Sequence, residues 1–536
     1  VTTGGFSNRR PAAGGRGGPG PGPDSRLQTG ILGFDHLTLG GLPRGRATLV
    51  VGPAGSGKTV FAGQFLCEGA ERGEPAVFVT FEEPAVDLRT NLAGLGWDIR
   101  AWEEAGLWRF VDASPVAGEG GWTFDPSAGL KTLVAQVGEA VDRTAASRIV
   151  LDSLNVMLAA LGDPDRARGH LRTLAGDLRR LGLTTVMTVE APSPGGEVTL
   201  SGMEAFVADN VVVLRNVLED EKRRRTIEVL KMRGAMHRKG EYPFTVLPGQ
   251  GMVVIPRSVI GLEQPSGEER TTSGVEPLDR ICHGGLFKDS VVLVSGATGT
   301  GKTLLVTEFL SRGAETGQRS LLLAFEESRA QLIRNARGWG RDFEGLEQQG
   351  LLKVVATYPE GAALEDHLVE ITDQIESFGP SRIAIDSLSA LERSGTAKGF
   401  REFIIVLTSY VKSKQITALF TATTPSLLGG PSITDSHIST LTDTIVLLRY
   451  VETGSEVRRG IAVLKMRGSP HDRRIHEFTI DDRGMHILAP FTGISGILAG
   501  RVVPLTAYPW DDLSPAAGGD VPTGPGEQDL LPSSEG

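Results

Sequence analysis

The chain has 536 residues, 40% of them apolar, which suits two or three globular cores rather than one. Its formal net charge is −10, with 55 Lys and Arg against 65 Asp and Glu, and this excludes a broadly basic surface for nucleic acid. Two distant cysteines, Cys67 and Cys282, exclude a disulfide framework or a CxxC metal pair and fit a reducing cytoplasm, and no apolar run is long enough to span a membrane.

The N-terminal stretch "VTTGGFSNRRPAAGGRGGPGPGPDS" has no apolar core of a signal peptide, and its Gly and Pro content predicts a disordered extension over residues 1–25. Beyond it, "ATLVVG", "AVFVTFE", "WRFVDA", "RIVLDS", "TTVMTV" and "NVVVLR" predict strands. Several are almost wholly apolar, as strands buried on both faces of a parallel sheet are. Between them, "RARGHLRTLAGDLRRLG" spaces Leu171, Leu174, Leu178 and Leu181 three and four apart, which predicts an amphipathic helix. "RRRTIEVLKMRG" predicts a strand running into a loop. From Pro248 to Glu269 periodicity fades and Gly and Pro accumulate, which reads as a connector.

The pattern then starts again. "TGILGFDHLTLGGLPRGRATLVVGPAGSGKT" (Thr29–Thr59) aligns with "SGVEPLDRICHGGLFKDSVVLVSGATGTGKT" (Ser273–Thr303), an offset of 302 − 58 = 244 at the lysines. "RIVLDSL" recurs as "RIAIDSL", and "RRRTIEVLKMRG" as "VRRGIAVLKMRG", at an offset of 465 − 231 = 234. The chain is a duplication. Its expected parts are a first domain over 26–255, a linker over 256–270, a second domain over 271–495 and a divergent acidic tail over 496–536. The expected fold class is α/β, each domain a mostly parallel sheet with helices on both faces.

"GPAGSGKT" and "GATGTGKT" both match GxxxxGK[ST] and stand between a predicted strand and a predicted helix. Glycines such as Gly52, Gly55, Gly57, Gly296, Gly299 and Gly301 let backbone N–H groups curl around phosphate oxygens. Lys58 and Lys302 are placed to reach the β- and γ-phosphates of ATP, and Thr59 and Thr303 to ligate Mg²⁺. Asp152 and Asp386 end later apolar strands, where a carboxylate holds the Mg²⁺ shell; the plain alternative is a helix cap. "TFEEP" and "AFEES" place Glu82 with Glu83, and Glu326 with Glu327, at strand ends. Such adjacent carboxylates repel, so one pKa should rise or one should face a cation, which suits a base that accepts a proton from an attacking hydroxyl or water. Lys231, Arg233, Lys465 and Arg467 lie in two "KMRG" motifs, either paired with surface acids or reaching a neighbour's nucleotide.

"PSITDSHISTLTDT" (Pro431–Thr444) crowds seven hydroxyls into fourteen residues. Counting back 234, Thr434 falls on Leu200, Ser439 on Ala205 and Thr440 on Phe206, so the shared fold does not require these hydroxyls. Phosphoryl acceptors and helix caps are equal readings of them on the residues alone.

From about Thr29 to Leu488 these stretches resemble the KaiC family, the double-domain RecA-type ATPases and autokinases of the cyanobacterial circadian clock. "DNVVVLRNVLEDEKRRRTIEVLKMRG", "FEESRAQLIRNA", "YPEGAALEDHL" and "SITDSHISTLTDTI" carry the resemblance beyond the loops, which generic RecA-type recombinases share. It implies two tandem RecA-like P-loop NTPase domains in a homohexamer of two stacked rings, with ATP between subunits. The first ring would be an ATPase; the second would be a Ser/Thr autokinase and autophosphatase. Ser439 and Thr440 match the family's phosphorylation sites and Thr434 the threonine beside them. Glu326 and Glu327 match the kinase carboxylates, with Glu326 the general base, and Glu82 and Glu83 match the ATPase pair. Lys231, Arg233, Lys465 and Arg467 match residues reaching the adjoining subunit's nucleotide. KaiB becomes a candidate partner on the first ring. After about Phe491 the resemblance stops, in the region the family offers to KaiA, so KaiA dependence is not implied. The competing readings are a DNA-dependent RecA-like motor, disfavoured by the net charge, and a nucleotide-gated scaffold without autokinase activity.

Overall fold

Apolar runs that cannot face water on either side must become central strands, and they do. The computed structural model describes residues 26–113, 117–118, 121–122, 126–161, 164–191, 208–219, 222–255, 267–424, 438–453, 456–495, 497 and 503–504. In the first copy the central strands are β1 (Ala47–Gly52), β2 (Ala76–Thr80), β3 (Trp108–Asp112), β4 (Arg148–Asp152) and β5 (Thr184–Glu190). β6 (Asn210–Glu219), β7 (Lys222–Met232), β8 (Glu241–Leu247) and β9 (Gly251–Val254) extend the sheet. The order is β3-β2-β4-β5-β1-β6-β7-β8-β9. Pairings from β3 to β6 are parallel and those from β6 to β9 antiparallel.

The second copy repeats this arrangement. Its strands are β10 (Val291–Gly296), β11 (Ser320–Ala324), β12 (Leu352–Ala356), β13 (Arg382–Asp386), β14 (Thr417–Thr423), β15 (Thr444–Thr453), β16 (Glu456–Met466), β17 (His476–Asp481) and β18 (Gly484–Pro490). Their order, β12-β11-β13-β14-β10-β15-β16-β17-β18, is that of the first sheet. The fold is α/β, two tandem mostly parallel sheets.

Each sheet is buried on both faces. Along β2, Phe78 packs with Phe61 and Phe65 of the helix α1 (Lys58–Glu71), while Val77 and Val79 pack on the other face with Leu174 and Leu178 of α2 (Pro164–Arg180). This is the two-residue alternation of a strand serving two helical layers. α2 differs from its sequence reading at one end. It stops at Arg180, so Leu181 lies outside it and is exposed, and Leu183 takes the buried place instead.

The connector reading also needs correction. Gly251–Val254 is a buried strand paired with β8, too short and too closely flanked by Gly and Pro to show a period. The extension over 1–25, residues 256–266 and Thr434 lie outside the described residues, as does nearly all of the tail from 496. Among the described residues no helix is long and apolar enough to cross a membrane. Cys67 and Cys282 are buried free thiols.

Candidate functional site

The two loops of GxxxxGK[ST] form begin where β1 and β10 end and lead into α1 and α3 (Lys302–Glu315). Gly57 and Gly301 precede those helices at φ 92° and 107°, backbone that side chains with a Cβ rarely adopt. At Gly52 and Gly296 a Cβ would stand 2.6 Å from the carbonyl oxygens of Leu214 and Leu448, so only glycine lets the loop base lie against β6 and β15. Gly55 and Gly299 complete the turns at φ 70° and 79°.

Lys58 Nζ donates to the carbonyls of Gly52 and Pro53 at 3.0 and 2.9 Å. Lys302 Nζ does the same to Gly296 and Ala297 at 2.9 and 3.0 Å. Burial pushes both ammonium groups below the usual lysine range, against the pull of nearby carboxylates. Each loop thus folds around a cation held at its centre, with the first N–H groups of a helix facing the same space.

Asp152 and Asp386 end β4 and β13, one strand from β2 and β11. Neither caps a helix: α5 (Leu388–Glu392) starts after Ser387. Thr188 donates to Asp152 and Thr421 to Asp386 from the neighbouring strands. In the second copy Thr303 Oγ1 also donates to Asp386 Oδ2 at 2.7 Å, and burial raises the Asp386 pKa.

The paired glutamates sit beside these aspartates. Glu83 and Glu327 are raised above the usual range, by burial first and by Asp152 or Asp386 next. Asn91 donates to Glu83, and Asn335 donates to Glu327 at 2.8 Å. The other member of each pair differs between copies. Glu82 accepts from Ser153 Oγ at 2.9 Å, whereas Glu326 faces Arg393 Nη2 at 3.4 Å. Arg393 was not singled out in the sequence, although a comparison of the copies offers a signal, since its counterpart is Ala159 (393 − 234 = 159).

Lysine, aspartate and the carboxylate pair therefore come together in each copy, and in the second the loop threonine is hydrogen-bonded to the aspartate. Among the described residues, the remaining candidates do not join them. Ser439 and Thr440 lie on a short helix, α7 (Ile438–Leu441), with Ser439 8% exposed and Thr440 at the surface. Lys465 Nζ holds the carbonyls of Ser439 and Thr442, both at 2.6 Å, and Arg467 Nη2 holds that of Thr440 at 2.7 Å. Lys231 donates likewise to Ala208, at 2.9 Å, and Arg233 follows β7 with its N–H on Asp209. Burial lowers the pKa of Lys231 and Lys465. Thr444, just after α7, pairs with Val292 at the start of β10, while the loop follows Gly296 at its end. That separation is about 13 Å along the strand, so α7 and the loop of the same chain lie toward opposite ends of the strands.

The KaiC ATPase family model matches residues 27–259 and 271–491. The chain is 59% identical to circadian clock protein KaiC3 of Synechocystis sp. over 478 residues, 89% of this chain and 94% of the relative. It is 48% identical to circadian clock oscillator protein KaiC of Thermostichus vulcanus over 482 residues, 89% of this chain and 91% of the relative. With the KaiC of Synechococcus elongatus identity is 47% over 506 residues, 94% and 96% of the two chains. Two nucleotide-type loops on duplicated sheets and these matches lead to one conclusion: the chain belongs to the KaiC family of ATPases, with one copy of the family's domain in each half.

Proposed function

We propose that the first domain hydrolyses ATP and that the second phosphorylates, and later dephosphorylates, Thr440 and Ser439, making the chain a clock or signalling timer. The observation that carries this reading is the placement of donor and acceptor. The hydroxyls of α7 sit toward the strand ends opposite their own loop, so transfer would require a second copy whose loop faces them. A head-to-tail ring meets that need, and a homohexamer is the family form we adopt.

The residues present fit Mg²⁺-ATP. Thr303 and buried Asp386 offer adjacent oxygens, and Thr59 and Asp152 hold the same sequence positions in the first copy. A single carboxylate and a hydroxyl suffice for Mg²⁺, which relies on substrate phosphates and water for its other positions. Bound there, the ion would draw charge from the phosphates.

Lys302 would turn from the loop carbonyls toward the β- and γ-phosphates. Glu326 would orient the acceptor hydroxyl and take its proton as the oxygen bonds to the γ-phosphorus and ADP leaves. Glu327, its pKa raised by burial, would hold Thr303 and Asn335 in place. Lys465 and Arg467 would present α7, and Lys231 and Arg233 would serve the corresponding strand ends in the first domain. Because Thr440 is exposed and Ser439 is 8% exposed, Thr440 would accept phosphate first. Glu82 and Glu83 would activate water in the first domain. We further infer a cytoplasmic location and a KaiB-like partner on the first domain. The family match ends at residue 491, so a KaiA-type activator forms no part of the proposal.

Incubation with Mg²⁺-ATP followed by mass spectrometry tests this. Phosphate is expected on Thr440 and then Ser439, and on neither in Glu326→Gln. ATP hydrolysis without phosphate on either residue would overturn the autokinase reading and leave a nucleotide-gated scaffold.

A further inference from the structure

The pairing of Arg393 with Glu326 depends on where the loop after α5 stands, and that loop is tied to the other domain. Lys222 Nζ of β7 donates to the carbonyl of Ser394 at 3.1 Å, the residue after Arg393. Two residues along the same strand, Arg224 donates from Nε to Glu365 of α4 (Leu364–Phe378) at 3.2 Å. Its Nη2 donates to Glu402 of α6 (Ala397–Ser413) at 3.0 Å. Ser394 Oγ in turn donates to the carbonyl of Pro359 at 2.9 Å, just before α4.

Arg224 thus holds two carboxylates that would otherwise repel, and the loop 393–396 runs between the helices that carry them. The three side chains are only 16%, 14% and 18% exposed, so water screens their attraction poorly. Removing the guanidinium would take from Glu365 and Glu402 the cation they share.

The duplication shows that the fold itself does not ask for this. At an offset of 234, Arg458 stands at the place of Arg224, 43% exposed and paired with Glu456 and Glu477 of its own hairpin. Glu456 stands at the place of Lys222, and Ala159 at that of Arg393. Both ends of the tether occur once, and they meet.

We propose that Lys222 and Arg224 of the first domain are positioning residues for phosphoryl transfer in the second, holding the loop 393–396 so that Arg393 stays against Glu326. The proposal rests on the autokinase reading and adds to it the residues that set its carboxylate. Glu326 and Arg393 touch directly; Lys222 and Arg224 act only through the segment between them.

The test uses the full chain carrying Lys222→Met with Arg224→Met. Phosphate incorporation at saturating Mg²⁺-ATP should slow about tenfold, with KM for ATP changed less than about twofold, as expected for misplacement rather than lost binding. Hydrolysis by the first domain, read in a Glu326→Gln background, should be unchanged. Adding Arg393→Met to the pair should cost no more than Arg393→Met alone, since all three act along one path. Arg224→Lys should keep most of the rate. An unchanged rate, a loss that adds fully to that of Arg393→Met, or a parallel fall in first-domain hydrolysis would each overturn the proposal. Hydrogen exchange gives a readout that needs no turnover. Amides of 393–402 should exchange faster in the Lys222→Met, Arg224→Met chain while those of 302–315 do not, and equal exchange over 393–402 would overturn the tether. If the unmodified chain incorporates no phosphate, the autokinase reading fails, and the exchange result still decides whether the tether exists.

Discussion

In the first domain the buried Arg148 meets a carboxylate, Glu74 Oε2, at 2.7 Å; in the second, Arg382 at the same place meets an amide, Gln318 Oε1, also at 2.7 Å. Both guanidinium groups lie over a phenylalanine of the loop helix, Phe65 or Phe309, at 4.9 and 4.8 Å from the ring centre, and both donate to that residue's carbonyl. The frame has kept its donors and acceptors while changing the charge beneath them. The glutamate pairs changed in another way. Glu82 has a hydroxyl beside it and Glu326 a cation, so two sites on sheets of the same strand order present carboxylates in different electrostatic settings. Packing positions tolerate any partner of the right shape and hydrogen-bonding sense. The positions around Glu82 and Glu326 have diverged along with the hydroxyls that only the second copy carries.

The sharpest way to break this comparison is to remove one pair at a time. Glu82→Gln with Glu83→Gln is expected to cut ATP hydrolysis about 100-fold or more while phosphate still reaches Thr440, and Glu326→Gln is expected to do the reverse. Radiolabelled phosphate release and incorporation, measured side by side, separate the two. Equal loss of both activities in either variant would mean that the sites do not divide the work.

A smaller effect sharpens the packing half. Gln318→Glu gives the second domain the first domain's carboxylate, opposite a guanidinium whose pKa burial has pushed down to about 10. A charged acceptor there should raise stability by about 1 kcal/mol, read as a higher unfolding temperature of the second domain. A fall would show that the amide is the better match in that copy.

An effect of similar size is a pH dependence in the first domain. Burial pushes the Asp35 carboxyl from 3.8 up to about 6, against hydrogen bonds from Thr29. Because the folded value is the raised one, this contribution is fully present below pH 4 and is lost as pH rises through about 6. The side chain keeps some contact with water, so the change should be on the order of 1 kcal/mol. Chemical denaturation between pH 4 and pH 7 should show it, and Asp35→Asn should flatten it.

Much of this was legible in the chain. The phosphate loops are local motifs, the central strands are nearly unbroken apolar runs, and the duplication is visible at two fixed offsets. What escaped depends on contacts far apart in sequence. Arg393 lies 67 residues from Glu326, and Lys222 lies 172 from Ser394, so neither pairing leaves a local pattern. β9 escaped because four residues among glycines and prolines carry no readable period. Leu181 was assigned to the apolar stripe because spacing alone does not say where a helix stops, and α2 ends one residue earlier.

The separation of α7 from its own loop along β10 has a consequence for reaction order. Under the proposed transfer, a lone chain would hold both donor and acceptor and could not join them. Phosphorylation would then be a property of neighbours, falling with dilution as an assembly comes apart. Each copy would be donor to one side and recipient from the other. A single copy carrying Glu326→Gln would leave one neighbour unmodified while being modified itself, so at a fixed total of chains the signal would fall in proportion, one site lost for each active chain replaced.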